Sequence, residues 1–558
     1  MAKSYSVTYK GDIEKGLRDN DINDYIVLNE ELAVLYVDDD FNERLLETID
    51  NITWWQIAQP MSSLIQLSQG VSGGETVSSA AGTSYIDNNP FINPNGKGVI
   101  IAIIDSGIDY LHPDFIDSNN NSRIISIWDQ NESTNPSPEG MSFGSEFTRE
   151  DLNNAIRNNN DSLSKDYTGT GTFAAGVAAG NGDLNSLYRG VATGSELVVV
   201  KLREYKDTYL DGKTNYLNTD FLAGIKYVLD VAKKENKLLI INLTVAERSR
   251  SVILTNLLDT FNELRNTGIV VVSGSGNEGN TNIHYEGVFK DVSETLDVII
   301  EVAEQNMLDI ILIPNGPSII NIEVISPSGE VSYNVSYSPD DQVYTGQFNL
   351  ENSPYEIRIT YPWLLSGNQE GYIRINDIKP GIWTLRLTPQ FITTGEFDIY
   401  LPNANLISPN TRFLDTESFS TITLYGMTEN VITVGAYNGK TDSMWIGSSK
   451  GPVKESTTIK PDIVAPGVDI ISTFINQNYI KATGTGVSSS LTSGVLALIM
   501  EYISQQGMYQ RKVLFTEVIK TYLMLGATRS SIYTYPNNSE GYGVLNLQGT
   551  IEAIANNI

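Results

Sequence analysis

Val99-Ile100-Ile101-Ala102-Ile103-Ile104 are all apolar, and the run closes on a carboxylate, Asp105. A strand with one wet face alternates apolar and polar residues. An unbroken run of this kind, rich in β-branched side chains, must instead be covered on both faces, as a parallel strand between two helical layers is. Similar runs lie at 197–200, 238–241 and 269–272, separated by helix-period segments at 221–233 and 256–265. This alternation predicts an α/β fold on a doubly wound parallel sheet. In such sheets functional residues gather at the carboxyl ends of strands, where Asp105 stands.

The pattern is interrupted twice. Residues 1–90 read as a small α+β module. Strands are expected at 25–28 and 32–37, split by Asn29-Glu30-Glu31, and Asp40 is expected to cap a short helix from Phe41. From 69 to 89 the composition turns to Gly, Ser, Ala, Thr and Asn, which reads as a linker or mobile loop. Between 291 and 424 the helical period vanishes. Ile320-Asn321-Ile322-Glu323-Val324 and Trp383-Thr384-Leu385-Arg386-Leu387 alternate strictly, and Ser326-Pro327-Ser328-Gly329 and Lys379-Pro380-Gly381 are turns. An inserted β-sandwich or jelly roll is predicted there. The α/β pattern resumes at 431–434 and runs into a long helix from Val487, so the core is expected over 91–290 and 425–558.

Composition narrows the chemistry. With 67 acidic against 37 basic residues the net charge is −30, which repels phosphate backbones and anionic lipid, so no nucleic-acid partner is expected. There is no cysteine, which removes disulfides, thiolate ligands and cysteine nucleophiles. Histidine occurs only as His112 and His284. No apolar run approaches the ~20 residues of a membrane span. Met1-Ala2-Lys3-Ser4-Tyr5-Ser6 lacks the basic-then-apolar pattern of a secretory signal, so synthesis in the cytoplasm without a signal peptide is expected. Oxygen-rich stretches at 117–121 and 158–161 suit either calcium loops or surface turns. No cofactor and no metal is assigned.

Five segments then line up. Ile101 to Asp109, followed by His112-Pro113-Asp114, resembles the aspartate motif of subtilisin-like serine proteases. Gly169-Thr170-Gly171-Thr172-Phe173-Ala174-Ala175-Gly176 resembles their histidine motif, and Ser273-Gly274-Ser275-Gly276-Asn277 the strand end with the oxyanion-hole asparagine. Gly484-Thr485-Gly486-Val487-Ser488-Ser489-Ser490 resembles the serine motif opening the central helix. Lys460-Pro461-Asp462-Ile463-Val464-Ala465-Pro466-Gly467 is a further signature upstream of it. The order is the family's own, Asp before His before Ser.

Two positions depart from the family pattern. Thr170 stands where the resemblance implies histidine, and Gly486 where it implies the nucleophile. The chemistry needs a hydroxyl to attack, an imidazole to take its proton and a carboxylate to orient the imidazole. Asp105 alone remains, with Asn277 at the oxyanion position. His112 belongs to the non-catalytic His-Pro-Asp stretch, and His284 lies beyond the oxyanion strand. Ser488, Ser489 and Ser490 are turned away by ~100° per residue and read as helix-start residues satisfying free N–H groups. In subtilisin itself, loss of the triad costs ~10⁶ in kcat. From a typical ~10 s⁻¹ that leaves about 10⁻⁵ s⁻¹, roughly one event per day. A pseudoprotease is expected. Asn277 reads either as a loop-holding residue or as a residual hole that grips a carbonyl or carboxylate. Asp105 reads either as a structural remnant or as a ligand contact. On the substrate-pairing edge, Ala246 replaces a glycine and argues against peptide docking.

In this family an N-terminal prodomain assists folding and is then cut away. Without catalytic machinery it is expected to stay attached, its trailing segment across the former cleft and its unused cleavage point near residue 90. This layout, with a long β insertion between Asn277 and Gly486, resembles the clostridial Csp subtilases of spore germination. That resemblance implies a spore-associated regulator whose partners are an active Csp-type protease or a cortex-hydrolase precursor, with a small-molecule germinant such as a bile salt as a candidate signal. Two other readings stay open: a weak or unconventional protease, and glycan binding by the β insertion through Tyr361, Trp363 and Trp383, for which core packing is the competing use.

Overall fold

The computed structural model of the protein describes residues 3–89, 91–205, 209–249, 255–339, 343–363, 366–454, 456–507 and 513–557, without the side chains of 255, 256 and 557. Its centre is a nine-stranded sheet. Ser145–Thr148, Ile124–Asp129, Glu196–Lys201, Val99–Asp105, Leu238–Leu243, Ile269–Gly274, Ile432–Asn438 and Ser443–Met444 follow one another, and Ile463–Pro466 also pairs with Ile432–Asn438. Strands from Ile124–Asp129 to Ile463–Pro466 pair in parallel, and antiparallel strands close the two edges. Every residue of Val99–Asp105 is buried, as its unbroken apolar run requires. One layer over the sheet holds Thr170–Ala179 and Thr485–Gln505, and the other holds Asn218–Glu235. The fold class is therefore α/β, a parallel sheet covered by helices on both faces, with an added β unit.

Thr485–Gln505, at 21 residues and mean hydropathy 1.3, is long and apolar enough to cross a membrane. Here it is the core helix of the sheet, with 94% of its most apolar window buried inside the fold.

The expected β insertion is present as two packed sheets, and it starts earlier than 291. His284–Val288 already pairs with Glu396–Tyr400 and opens a six-stranded antiparallel sheet. Ile319–Ile325, Gly381–Phe391, Leu296–Val302 and Arg412–Phe413 make the facing four-stranded sheet. The inward residues of both, including Ile310, Ile322, Ile357, Ile373, Leu385 and Leu387, form one core. Trp383 is 2% exposed in that core and Trp363 is 6% exposed against Trp54, while Tyr361 packs on Tyr337. None of the three stands out as an open stacking platform.

The N-terminal module is a four-stranded antiparallel sheet in the order Tyr25–Val27, Leu32–Val37, Lys3–Tyr9, Ile52–Ile57. Its short helix is a 3₁₀ segment, Glu43–Thr48, capped by Asn42 rather than Asp40: the Asn42 side chain accepts from the Arg44 N–H. The stretch 69–89 is not a loose linker. Glu75–Thr76 pairs with Ile470–Phe474, and Val77–Ala81 forms a helical turn capped by Thr76. Val77, Ala81 and Ile86 are buried in the same core as Thr485–Gln505. Its small residues serve close packing, a use the composition alone does not separate from flexibility.

Candidate functional site

Asp105 ends the central strand, and Thr170 opens the helix Thr170–Ala179 after Gly169, whose φ of +84° turns the chain into that helix and whose Cα faces the Phe474 ring. The topology brings the two together. The Thr170 hydroxyl donates to Asp105 Oδ1 at 2.6 Å. The Thr244 hydroxyl donates to Oδ2, and the Ser106 N–H to Oδ1 at 2.7 Å. Burial pushes the Asp105 carboxyl up to about 6, against the pull of these three donors.

Asn277 follows the strand Ile269–Gly274, and its side-chain oxygen accepts from both the N–H and the hydroxyl of Thr485, at 3.0 Å each. That locks the start of Thr485–Gln505 to the sheet. The Asn277 amide nitrogen is thereby aimed at one acceptor, the carbonyl oxygen of Leu64, at 3.0 Å. The Gly486 N–H donates to the same oxygen at 3.1 Å. Two donors converging on a peptide carbonyl make an oxyanion-hole arrangement. Asn277 thus fixes the loop and holds a carbonyl of the chain's own backbone.

The gripped peptide belongs to the chain itself. Pro60–Ser63 lies as a middle strand between Tyr216–Leu217 and Val245–Ala246, antiparallel to both. Leu64 N–H donates to Thr244 O at 2.7 Å, while Asn218 exchanges two hydrogen bonds with Gln59. Ala246 does not prevent docking: it pairs with Ser62. A backbone ladder needs no glycine where the side chain points away from the partner strand. The Leu64 side chain is fully buried against Gly274, where a Cβ would come within 2.9 Å of it. Immediately after, Gln66–Ser68 joins Asn478–Thr483 in a second sheet. The Leu64–Ile65 peptide therefore spans the cleft at the carboxyl end of the sheet.

Gly486 sits directly beneath this peptide. A Cβ there would come within 2.8 Å of Ile65 Cγ1 and 3.1 Å of the Leu64 carbonyl carbon. The serines that follow face elsewhere. Ser488 donates to Ala465 O at 2.9 Å, and Ser489 and Ser490 both donate to Gly486 O. They satisfy carbonyls, whereas the sequence reading has them serving N–H groups. His112 is buried, its Nδ1 accepting from the Asp114 N–H at 3.1 Å and its Nε2 facing Asn478 O, and burial lowers its pKa. His284 stacks on Tyr400 and bonds Asp398 in the β-sandwich. Among the described residues no group of three or more acidic or histidine side chains is placed to hold a metal ion. The 117–121 stretch forms a turn in which Asp117 accepts from the Asn119 and Asn121 N–H groups.

Leu64 and Ile65 escaped the sequence reading because Met61-Ser62-Ser63-Leu64-Ile65 carries no motif. A strand bound in a cleft is defined by the groove that receives it.

The sequence pattern described as the Subtilase family matches residues 96–351 and 406–543. The structure of the CspB protease of Clostridium perfringens is similar with a TM-score of 0.76 and 27% identity, covering 86% of this chain and 98% of that one. The epidermin leader peptide processing serine protease EpiP of Staphylococcus aureus shares the fold at 16% identity and a TM-score of 0.50, covering 100% of this chain and 99% of that one. The PII-type proteinase of Lactococcus lactis subsp. cremoris is 23% identical in an alignment of 521 positions that covers 83% of this chain and 26% of the relative. The chain thus spans about a quarter of the length of the first curated relatives it matches.

Proposed function

The chain belongs to the subtilase family, and from that membership we propose that it is a catalytically inactive member, a pseudoprotease that works by binding and regulates bacterial spore germination. The observation that carries the reading is the Leu64–Ile65 peptide. It lies in a two-donor carbonyl hole like a substrate, directly over a glycine. Attack on that carbonyl requires an oxygen at position 486 and a proton acceptor near it. Gly486 offers no side chain, and Thr170 occupies the acid beside it as a hydrogen-bond donor. Asp105, Thr170 and Gly486 are in this reading a degenerate triad, and Asn277 a surviving oxyanion donor turned to holding the N-terminal segment in place.

With the peptide bond uncut, residues before Leu64 stay covalently joined to the core as a permanent intramolecular ligand. They fill the groove through which an active relative would take substrate, so function passes to other surfaces. Similarity to the CspB protease, together with the departures at 170 and 486, supports the resemblance to the pseudoprotease CspC of the same group. The regulated step would be activation of a cortex-hydrolase precursor by an active Csp-type protease, with a small-molecule germinant as the input signal, in the spore. Cross-linking pull-down from spores tests this reading. An active Csp relative or the hydrolase precursor is the expected capture. Peptidase activity in a contaminant-free preparation, abolished by Asp105→Ala, would overturn it.

A further inference from the structure

A cleft of about 770 Å³ separates the N-terminal sheet from the outer face of the six-stranded sheet of the sandwich. Asp105, Thr170, Asn277 and Gly486 are not among its lining residues. One wall is Ile52–Ile57 with Trp54, Trp55 and Gln56. The other is built of three cross-strand pairs, Glu356 with Arg374, Arg358 with Tyr372 and Thr360 with Glu370, alternate residues of two neighbouring strands. Across the cleft Arg358 bonds Glu43 at 3.0 Å, and Trp54 meets the Trp363 ring edge-on at 5.5 Å and packs against the cluster of Ile311, Ile313 and Tyr400. The volume falls in the range of small-molecule sites, ~300–1,000 Å³.

The chemistry of the walls selects among ligands. The aromatic side chains Trp54, Trp55 and Tyr372, each only partly buried, suit a ring with an apolar face, while the buried Trp363 contributes its N–H edge. Three shielded polar atoms at this interface have no partner among the described residues: the Trp363 and Arg358 Nε–H donors (Nε1 of Trp363, Nε of Arg358) and the Gln56 Oε1 acceptor. Such groups cost free energy until something satisfies them. Two free N–H donors require a ligand that accepts, which disfavours an organic cation. Charge disfavours an anion. Glu43, Glu47, Glu356 and Glu370 line the cleft against Lys3, Arg358 and Arg374, and Arg374 is already held by Asp309 at 2.8 Å. Hydroxyl groups both donate and accept, and a pyranose ring stacks its C–H face on an indole.

We propose that the cleft between the N-terminal sheet and the β-sandwich is a binding site for a neutral saccharide of two or three rings. Bound there, it touches both walls and ties the N-terminal module to the sandwich. This proposal is independent of whether the chain cleaves peptides. The test is titration of the full chain with maltotriose and chitotriose, and with choline and benzoate as cation and anion probes, read by tryptophan fluorescence and saturation-transfer NMR. At least one trisaccharide is expected to bind, and Trp363→Phe, which keeps the ring but removes the N–H, is expected to weaken it about tenfold. Gln56→Leu provides the same readout should Trp363→Phe disturb the fold. Absence of saccharide binding up to about 10 mM, binding of choline or benzoate alone, or unchanged affinity in a folded variant would each overturn the proposal.

Discussion

Replacing Gly486 by alanine gives opposite signs depending on whether the cleft is filled. In a helix start with open space above it, Gly→Ala is favourable by up to ~1 kcal/mol, because the glycine gives up more backbone freedom on folding. In this protein the new methyl would lie 2.8 Å from Ile65 Cγ1 and 3.1 Å from both the carbonyl carbon and the Cβ of Leu64. Carbon atoms rest at ~3.5–4.0 Å, so the nearest contact is short by about 0.7–1.2 Å. The Ile65 side chain can swing aside, but the Leu64 carbonyl is pinned by Asn277 and the Gly486 N–H, and its own N–H by Thr244. Overpacking of this kind costs ~1–3 kcal/mol. Net of the helix gain, the expected outcome is a loss of about 1–2 kcal/mol, concentrated on the 60–65 segment. Hydrogen exchange by mass spectrometry should then show the Leu64 amide exchanging about 5- to 30-fold faster in the variant. Unchanged or slower exchange, with a raised melting temperature, would refute the placement of the segment over Gly486.

Other outcomes follow from the same geometry. Asn277→Ala removes the bond to Leu64 O and the acceptor of two Thr485 donors, and should cost about 2–3 kcal/mol by denaturant unfolding. Asp309 is buried between Arg374, Arg248 and the Tyr209 hydroxyl, a junction of core and sandwich; burial alone would raise its pKa, but the guanidiniums outweigh it and hold it low. Asp309→Ala strands those cations and should cost about 3–5 kcal/mol, seen as early melting of the sandwich in calorimetry. Burial raises the carboxyls of Asp105 to about 6, Glu278 to about 7 and Glu247 to about 8. The folded state therefore holds protons that the unfolded chain has released. The contribution of these groups should be fully present below about pH 4 and fall as pH rises from about 4 to 8, most steeply below 6 where all three differ from the unfolded chain, with Glu247→Gln flattening the upper end of that fall. Any self-cleavage restored by Thr170→His with Gly486→Ser should fall between Leu64 and Ile65, as N-terminal sequencing would show; a new terminus near residue 90 contradicts the assignment.

The parts legible in the sequence are those whose signal is local. Val99–Asp105 and its parallel neighbours declare themselves by unbroken apolar runs, and Ile319–Ile325 and Gly381–Phe391 by strict alternation. Asp105, Thr170, Asn277 and Gly486 carry recognisable motifs, and the fold brings all four to one end of the sheet. Lys3–Tyr9 was missed although Tyr5, Val7 and Tyr9 alternate strictly with Ser4, Ser6 and Thr8; what the alternation does not reveal is that the polar face is covered too, since Ser4 and Ser6 are also buried. The stretch 69–89 misled because glycine, serine and alanine are as suited to close packing beside Thr485–Gln505 as to a linker. The occupant of the cleft was invisible for a different reason: Leu64 matters only through partners 180 to 422 positions away in the chain, such as Thr244 and Gly486.

The central claim is that the Leu64–Ile65 bond is presented to the cleft and never cut. Denaturing intact-mass analysis of the purified chain after prolonged incubation at neutral pH reads this bond directly. A single species of full covalent mass is the predicted result. A pair of fragments ending at Leu64 and beginning at Ile65, produced in a contaminant-free sample and absent in Asp105→Ala, would contradict it.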